Sequence, residues 1–84
     1  MASVDLSFIA PDDEDLAKLY IYEGQSDTGP FDQIDMVTDL GTYPDYIETY
    51  TTENASDPAN WFTIQWENSR GAQSPMSTDR KSVV

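Results

Sequence analysis

Apolar and polar residues alternate along much of this chain with a period of two, the period of a half-buried β-strand. Val4, Leu6 and Phe8 alternate with Asp5 and Ser7. In "KLYIYE" (18–23), Leu19 and Ile21 fall on one face and Tyr20 and Tyr22 on the other. The preceding Leu16-Ala17-Lys18 leaves a helical start open, but the aromatic and β-branched content predicts a strand reaching Gly24. The cleanest alternation lies in 61–67, where Phe62, Ile64 and Trp66 are separated by Thr63 and Gln65. "FDQIDMVTDL" (31–40) is the least regular segment: Phe31, Ile34 and Val37 recur every third residue, which neither period fits. It is read as a short strand. "YIETYTTE" (46–53) reads as another from its composition.

Clusters rich in Gly, Pro, Asn and Asp punctuate these runs: Pro11 with "DDED" (12–15), "GQSDTGP" (24–30), "GTYPD" (41–45), "NASDPAN" (54–60) and the loop 68–75. "MSTDRKSVV" (76–84) is either a last strand or a tail. Short strands at roughly ten-residue intervals predict an all-β fold, a small antiparallel sandwich. Residues 1–78 are expected to form one domain, and 79–84 the end of the last strand or a C-terminal contact arm.

Composition narrows the chemistry. The 84 residues include neither cysteine nor histidine, so a disulfide, a thiolate metal site and the usual neutral-pH general base are all missing. Residues 1–69 hold fifteen carboxylates against Lys18 alone, a net of −14, whereas 70–84 hold Arg70, Arg80 and Lys81 against Asp79. The overall charge of −12 argues against binding a phosphate backbone or an anionic membrane. Self-repulsion of this size predicts that added salt raises the melting temperature; a fall in moderate NaCl would contradict it. The N-terminus shows no basic segment followed by an apolar stretch, so no signal peptide is expected. Catalysis by paired carboxylates needs a cleft that raises one pKa, and a domain this small has little room for one. The expectation is a non-enzyme without cofactor or metal.

Four stretches in order resemble a fibronectin type III domain of the divergent kind common in bacterial and phage proteins. "LSFIAPDDEDLAKLYIYEG" is similar to that family's strand B, its Pro-containing turn and strand C. "GPFDQIDMV" is similar to the Gly-Pro-Phe segment that follows, "DYIET" to the step opening the next strand, and "FTIQWENSRGAQSPMS" to strand F, the F–G loop and the start of strand G. The resemblance implies an immunoglobulin-like sandwich lacking the family's first strand. It also puts Asn60, beside Trp61, where the family carries its corner tyrosine. A small, acidic, free-standing member resembles structural proteins of tailed phages. That implies a virion accessory protein made in the host cytoplasm, most simply a capsid decoration protein in several copies. Its partners would be the major capsid protein or neck and tail proteins. The alternatives are a neck or tail component, or a carbohydrate or host-recognition module using Trp61 with the loops at 24–30 and 68–75.

Candidate contact residues are Trp61, Tyr20, Tyr22 and, in the basic tail, Arg80, Lys81, Val83 and Val84. Trp66, on the face of Phe62 and Ile64, is expected in the core, with Trp61 opposite. Tyr50 is a further candidate for an aromatic surface with Tyr20 and Tyr22. "DDED" with Glu23 and Asp27 offers oxygens for a hard cation such as Ca²⁺, but without the spacing of a calcium loop, so a solvated turn is the simpler reading. In "RGAQSP", Ala72 stands where an integrin-binding Arg-Gly-Asp loop has its aspartate, which leaves a tight turn using the permissive φ of Gly71.

Overall fold

The computed structural model describes residues 2–26, 28–57 and 59–73. It is all-β, with seven strands among these residues: β1 (Ala2–Ser7), β2 (Leu16–Gly24), β3 (Phe31–Val37), β4 (Gly41–Thr42), β5 (Asp45–Tyr46), β6 (Thr49–Ala55) and β7 (Trp61–Asn68). They form an antiparallel β1–β6 pair, an antiparallel sheet in the order β3–β2–β7, and a small β4–β5 hairpin. The chain passes between the two main sheets after β1, again between β3 and β6, and again after β6, so the sheets pack as a sandwich.

The core is the sum of the inward positions of each alternating run. Val4 and Leu6 from β1 and Ala55 from β6 meet Leu19 and Ile21 from β2 and Phe62, Ile64 and Trp66 from β7. Leu40 and Tyr46 complete it from the β4–β5 hairpin. Phe8 extends β1's inward row and meets Trp66 edge-on, with ring centroids 5.5 Å apart. Trp66 is therefore a core residue, as its shared face with Phe62 and Ile64 predicts.

The irregular segment 31–40 resolves into a bulge. Ile21 pairs with Asp35 but Tyr22 pairs with Gln33, so Ile34 is an extra residue on β3. One inserted residue displaces the two-residue alternation, which is why Phe31, Ile34 and Val37 read as a period of three. The strand ends at Val37 rather than Leu40.

The expected strand 46–53 needs a correction. Tyr46 closes the β4–β5 hairpin, in which Gly41 pairs with Tyr46 and Thr42 with Asp45, and the Ile47 N–H donates to the Leu40 carbonyl at 2.9 Å. The long strand starts at Thr49 and runs through Ala55, two residues into the segment assigned to a loop. The hairpin also grips the acidic turn: the Tyr43 hydroxyl donates to Asp12 at 2.7 Å, and the Tyr46 hydroxyl accepts from the Leu16 N–H at 3.2 Å.

Two glycines differ in what a side chain would cost. Gly71 has φ +84° with open space around it, so Gly71→Ala is expected to cost about 1–2 kcal/mol of backbone strain alone. At Gly24 an added Cβ would lie 2.7 Å from the Pro30 carbonyl and 2.8 Å from the Phe31 ring. Gly24→Ala is expected to cost an overpacking penalty instead, about 1–3 kcal/mol, with backbone shifts around Pro30. Chemical denaturation of both variants checks these losses, and an unperturbed Gly24→Ala would contradict the close approach.

Candidate functional site

The face of the β3–β2–β7 sheet turned away from the core is built by cross-strand pairing. Along β2 its positions are Lys18, Tyr20, Tyr22 and Gly24, since Leu19, Ile21 and Glu23 point inward. Tyr20 lies between Met36 and Gln65, Tyr22 between Gln33 and Thr63, and Gly24 between Phe31 and Trp61. Lys18 opposes Glu67, with Nζ 3.8 Å from the carboxylate. Tyr22 donates its hydroxyl to Gln65 at 3.2 Å. The result is a sheet face carrying Tyr20, Tyr22, Phe31, Trp61 and Met36, the last 46% exposed. Trp61, Tyr20, Tyr22 and Phe31 are each half-buried. The outward face of an antiparallel sheet is ordinarily polar, so this concentration of rings is the most distinctive surface among the described residues.

Tyr20, Tyr22 and Trp61 therefore share one face, as a contact surface requires. Tyr50 does not join them. It pairs with Leu6 on the inward side of β6, packs against the core, and donates its hydroxyl to Asp35 at 3.0 Å. Thr52 donates to the same carboxylate oxygen at 3.2 Å, so Asp35 ties β3 to β6 along one rim of the sandwich. Sequence reasoning missed Phe31 and Met36. The bulge at Ile34 hid their common face by breaking the alternation between them. Arg80, Lys81, Val83 and Val84 lie outside the described residues, as does Asp27.

The two ends of the sheet have different chemistry. At one end Glu23, 7% exposed, accepts from the N–H groups of Ser56 (2.9 Å) and Asp57 (3.3 Å) and from the Asn60 side-chain amide (3.0 Å). A cleft of about 310 Å³ lies beside it, lined by Gln25, Pro30, Asp32, Ser56 and Asn60 as well as Glu23 and Gly24. Asn60, which stands where the resembled family has a tyrosine, thus fastens the β6–β7 connection to β2 through a carboxylate. At the other end Asn68 organises the 68–72 turn. Its side-chain oxygen accepts from the N–H groups of Arg70 and Ala72, both at 3.0 Å, and its amide donates to Asp13 at 3.3 Å. Arg70 forms an ion pair with Asp15, and the positive φ of Gly71 makes the turn.

This polarity separates residues that the carbohydrate reading grouped. Trp61 opposes Gly24 while Asn68 opposes Leu16, so Trp61 and the 24–30 loop share one end and the 68–73 turn occupies the other. The cation reading separates in the same way, because Glu23 closes β2 and "DDED" opens it. Among the described residues no group of three or more His, Cys, Asp or Glu side chains converges as for a metal. Nor is any helix there long and apolar enough to cross a membrane.

Among the described residues, four groups have displaced titrations. The Asp13 carboxyl is held below its ordinary value, first by the Asp15 N–H and then by Asn68. Its stabilisation is present above the ordinary carboxyl range and is lost as pH falls through the lowered pKa. Burial pushes the Tyr22 hydroxyl up, as it does that of Tyr50, where the bond to Asp35 adds; for Tyr43 the bond to Asp12 is the main cause. A raised tyrosine pKa means the fold favours the protonated form. Its stabilisation is complete below the ordinary value of 10.0 and lost as pH rises through the raised values. An ultraviolet absorbance titration should therefore show phenolate formation delayed beyond pH 10.0 in the folded protein, and the melting temperature should fall across the same window. Tyr22→Phe, Tyr43→Phe and Tyr50→Phe should each remove part of the delayed signal; a titration identical to the unfolded chain would contradict this.

No family model, no curated protein and no solved structure matches this chain.

Proposed function

We propose that this chain is a non-enzymatic structural accessory protein of a tailed-phage particle, a capsid decoration protein that docks on the shell in several copies. The observation that carries the reading is the ring-bearing outer face of the β3–β2–β7 sheet, where Tyr20, Tyr22, Phe31, Trp61 and Met36 lie side by side. Burying such a face against a partner yields roughly 25 cal/mol per Å² of apolar area. Tyrosine and tryptophan are the residues that most often carry interface energy. The acidic charge of −12 then serves the surface left outward, keeping decorated particles apart.

The strand order supports the fibronectin type III resemblance on which the phage reading rests. β1 and β6 stand as strands B and E of that fold would, and β3, β2 and β7 as strands C′, C and F. Gln73 bridges Glu67 of β7, where the next strand of that fold would begin.

The test is mass spectrometry and cryo-electron microscopy of particles from cells carrying the gene. The expected result is density for the sandwich on the shell with the Tyr20–Trp61 face inward, and loss of incorporation in a Tyr20→Ser/Tyr22→Ser variant that still folds. Particles free of the protein would overturn the proposal. Density at the neck or tail would replace the address while keeping the docking face.

A further inference from the structure

The two main sheets end in strands whose outer edges are differently protected. Among the described residues no strand pairs with the outer edge of β1, of β6 or of β3. β3 carries two devices that blunt an edge, the Ile34 bulge and the inward carboxylate of Asp35 bonded to Tyr50 and Thr52. β1 carries neither. Its register with β6 is regular from Val4 to Ser7, its inward residues Val4 and Leu6 are 0% and 4% exposed, and it holds no lysine, proline or inward charge. Ile9, just beyond its end, is 89% exposed.

The direction of β1's backbone groups follows from its pairing. The Phe8 N–H donates to the Glu48 carbonyl at 2.9 Å, in step with the Leu6–Tyr50 and Val4–Thr52 pairs. Antiparallel ladders alternate, so the even positions bond to β6, and Asp5 and Ser7 aim their N–H and C=O groups at the open edge. The Asp5 side chain is on the outward face beside Thr51, whose hydroxyl donates to it at 2.5 Å.

We infer that the open edge of β1 is a strand-addition site for an extended segment of a different polypeptide with lysine or arginine at its outward positions. Main-chain bonds to Asp5 and Ser7 supply the pairing. Charge selects the occupant: a second copy would bring another −12 to the same edge, whereas a basic strand meets Asp5 with opposite sign. The inference rests on the docking reading above and names the bonding mode and charge of one partner segment.

The experiment is amide hydrogen exchange by NMR on the full chain, with a synthetic peptide of alternating valine and lysine as probe. The Asp5 and Ser7 amides are expected to gain about tenfold protection, with no gain from the same peptide carrying glutamate for lysine. Ser7→Pro removes an edge N–H without touching the β6 ladder and should abolish the gain at an unchanged melting temperature; Asp5→Lys, which keeps the N–H, should weaken it. Protection appearing on β3 or nowhere, or surviving Ser7→Pro, would overturn the inference. So would protection already present in the isolated chain and lost on removing residues 74–84, which would make the occupant the protein's own segment. A dimer by light scattering that Ser7→Pro dissolves would make the occupant a second copy and overturn it too. Particle incorporation is read separately, so a chain that decorates particles without adding a strand leaves the docking face standing and removes only this inference.

Discussion

Phe62→Ala is expected to lower stability by about 3–5 kcal/mol, the usual cost of emptying a buried phenylalanine site. Phe62 is 1% exposed and is the largest of the fully buried side chains among the described residues, opposite Glu23 in the β2–β7 pairing. The total stability of a chain this size is roughly 4–13 kcal/mol, so one substitution removes a large share of it. In a domain this small each kcal/mol shifts the midpoint by about 4–8 °C, and the melting temperature should fall by at least ~12 °C. The internal comparison is Met36→Ala on the outer face, where a 46% exposed side chain should cost within about 0.5 kcal/mol. Thermal denaturation of both variants decides the matter. Similar shifts for the two would mean that the core does not lie between the sheets as described.

Glu23→Ala should be the most damaging polar substitution. It strips the acceptor from two backbone N–H groups, of Ser56 and Asp57, and from the Asn60 amide. Hydrogen bonds to a charged group are worth about 1.5–3 kcal/mol, and a donor left buried without a partner costs a similar amount. Water reaches Ser56 and Asp57, which are exposed, so the expected loss is about 2–3 kcal/mol rather than the sum over three donors. Glu23→Gln retains one acceptor oxygen and should lose less. The distinguishing readout is local: amide exchange at Ser56 and Asp57 should accelerate in both variants while Leu19 and Ile21 keep the protection of the remaining global stability. If Glu23→Ala left those two amides unchanged, the carboxylate would not be what holds the β6–β7 connection.

Much of this fold was legible from alternation alone. The stretches 4–8, 18–23 and 61–67 carry clean two-residue patterns, and their inward sets Val4/Leu6, Leu19/Ile21 and Phe62/Ile64/Trp66 make up most of the core, which Leu40, Tyr46 and Ala55 complete. The same parity put Tyr20, Tyr22 and Trp61 on the opposite side, which is the candidate contact face. The pattern failed where backbone geometry, not side-chain polarity, decides. A single extra residue at Ile34 re-aims everything after it on β3, so Phe31 and Met36 could not be assigned to the face they share. Tyr46 and Tyr50 both read as strand aromatics, yet one closes a two-residue hairpin and the other faces Asp35 across the sandwich rim.

The sequence by itself thus determined the all-β class, the parity of the three best strands, the acid excess and the absence of cysteine and histidine. These depend only on residue type and on neighbours one or two positions away. Tertiary structure alone decided which ends of the strands meet, and hence that Trp61 lies with the 24–30 loop and away from the 68–73 turn. It also turned Glu23 from a candidate cation ligand into the anchor of the β6–β7 connection, and left β1 with the less protected edge. The β1–β6 and β2–β7 pairings join residues 37 to 53 positions apart, and such long-range pairing leaves no periodic trace along the chain.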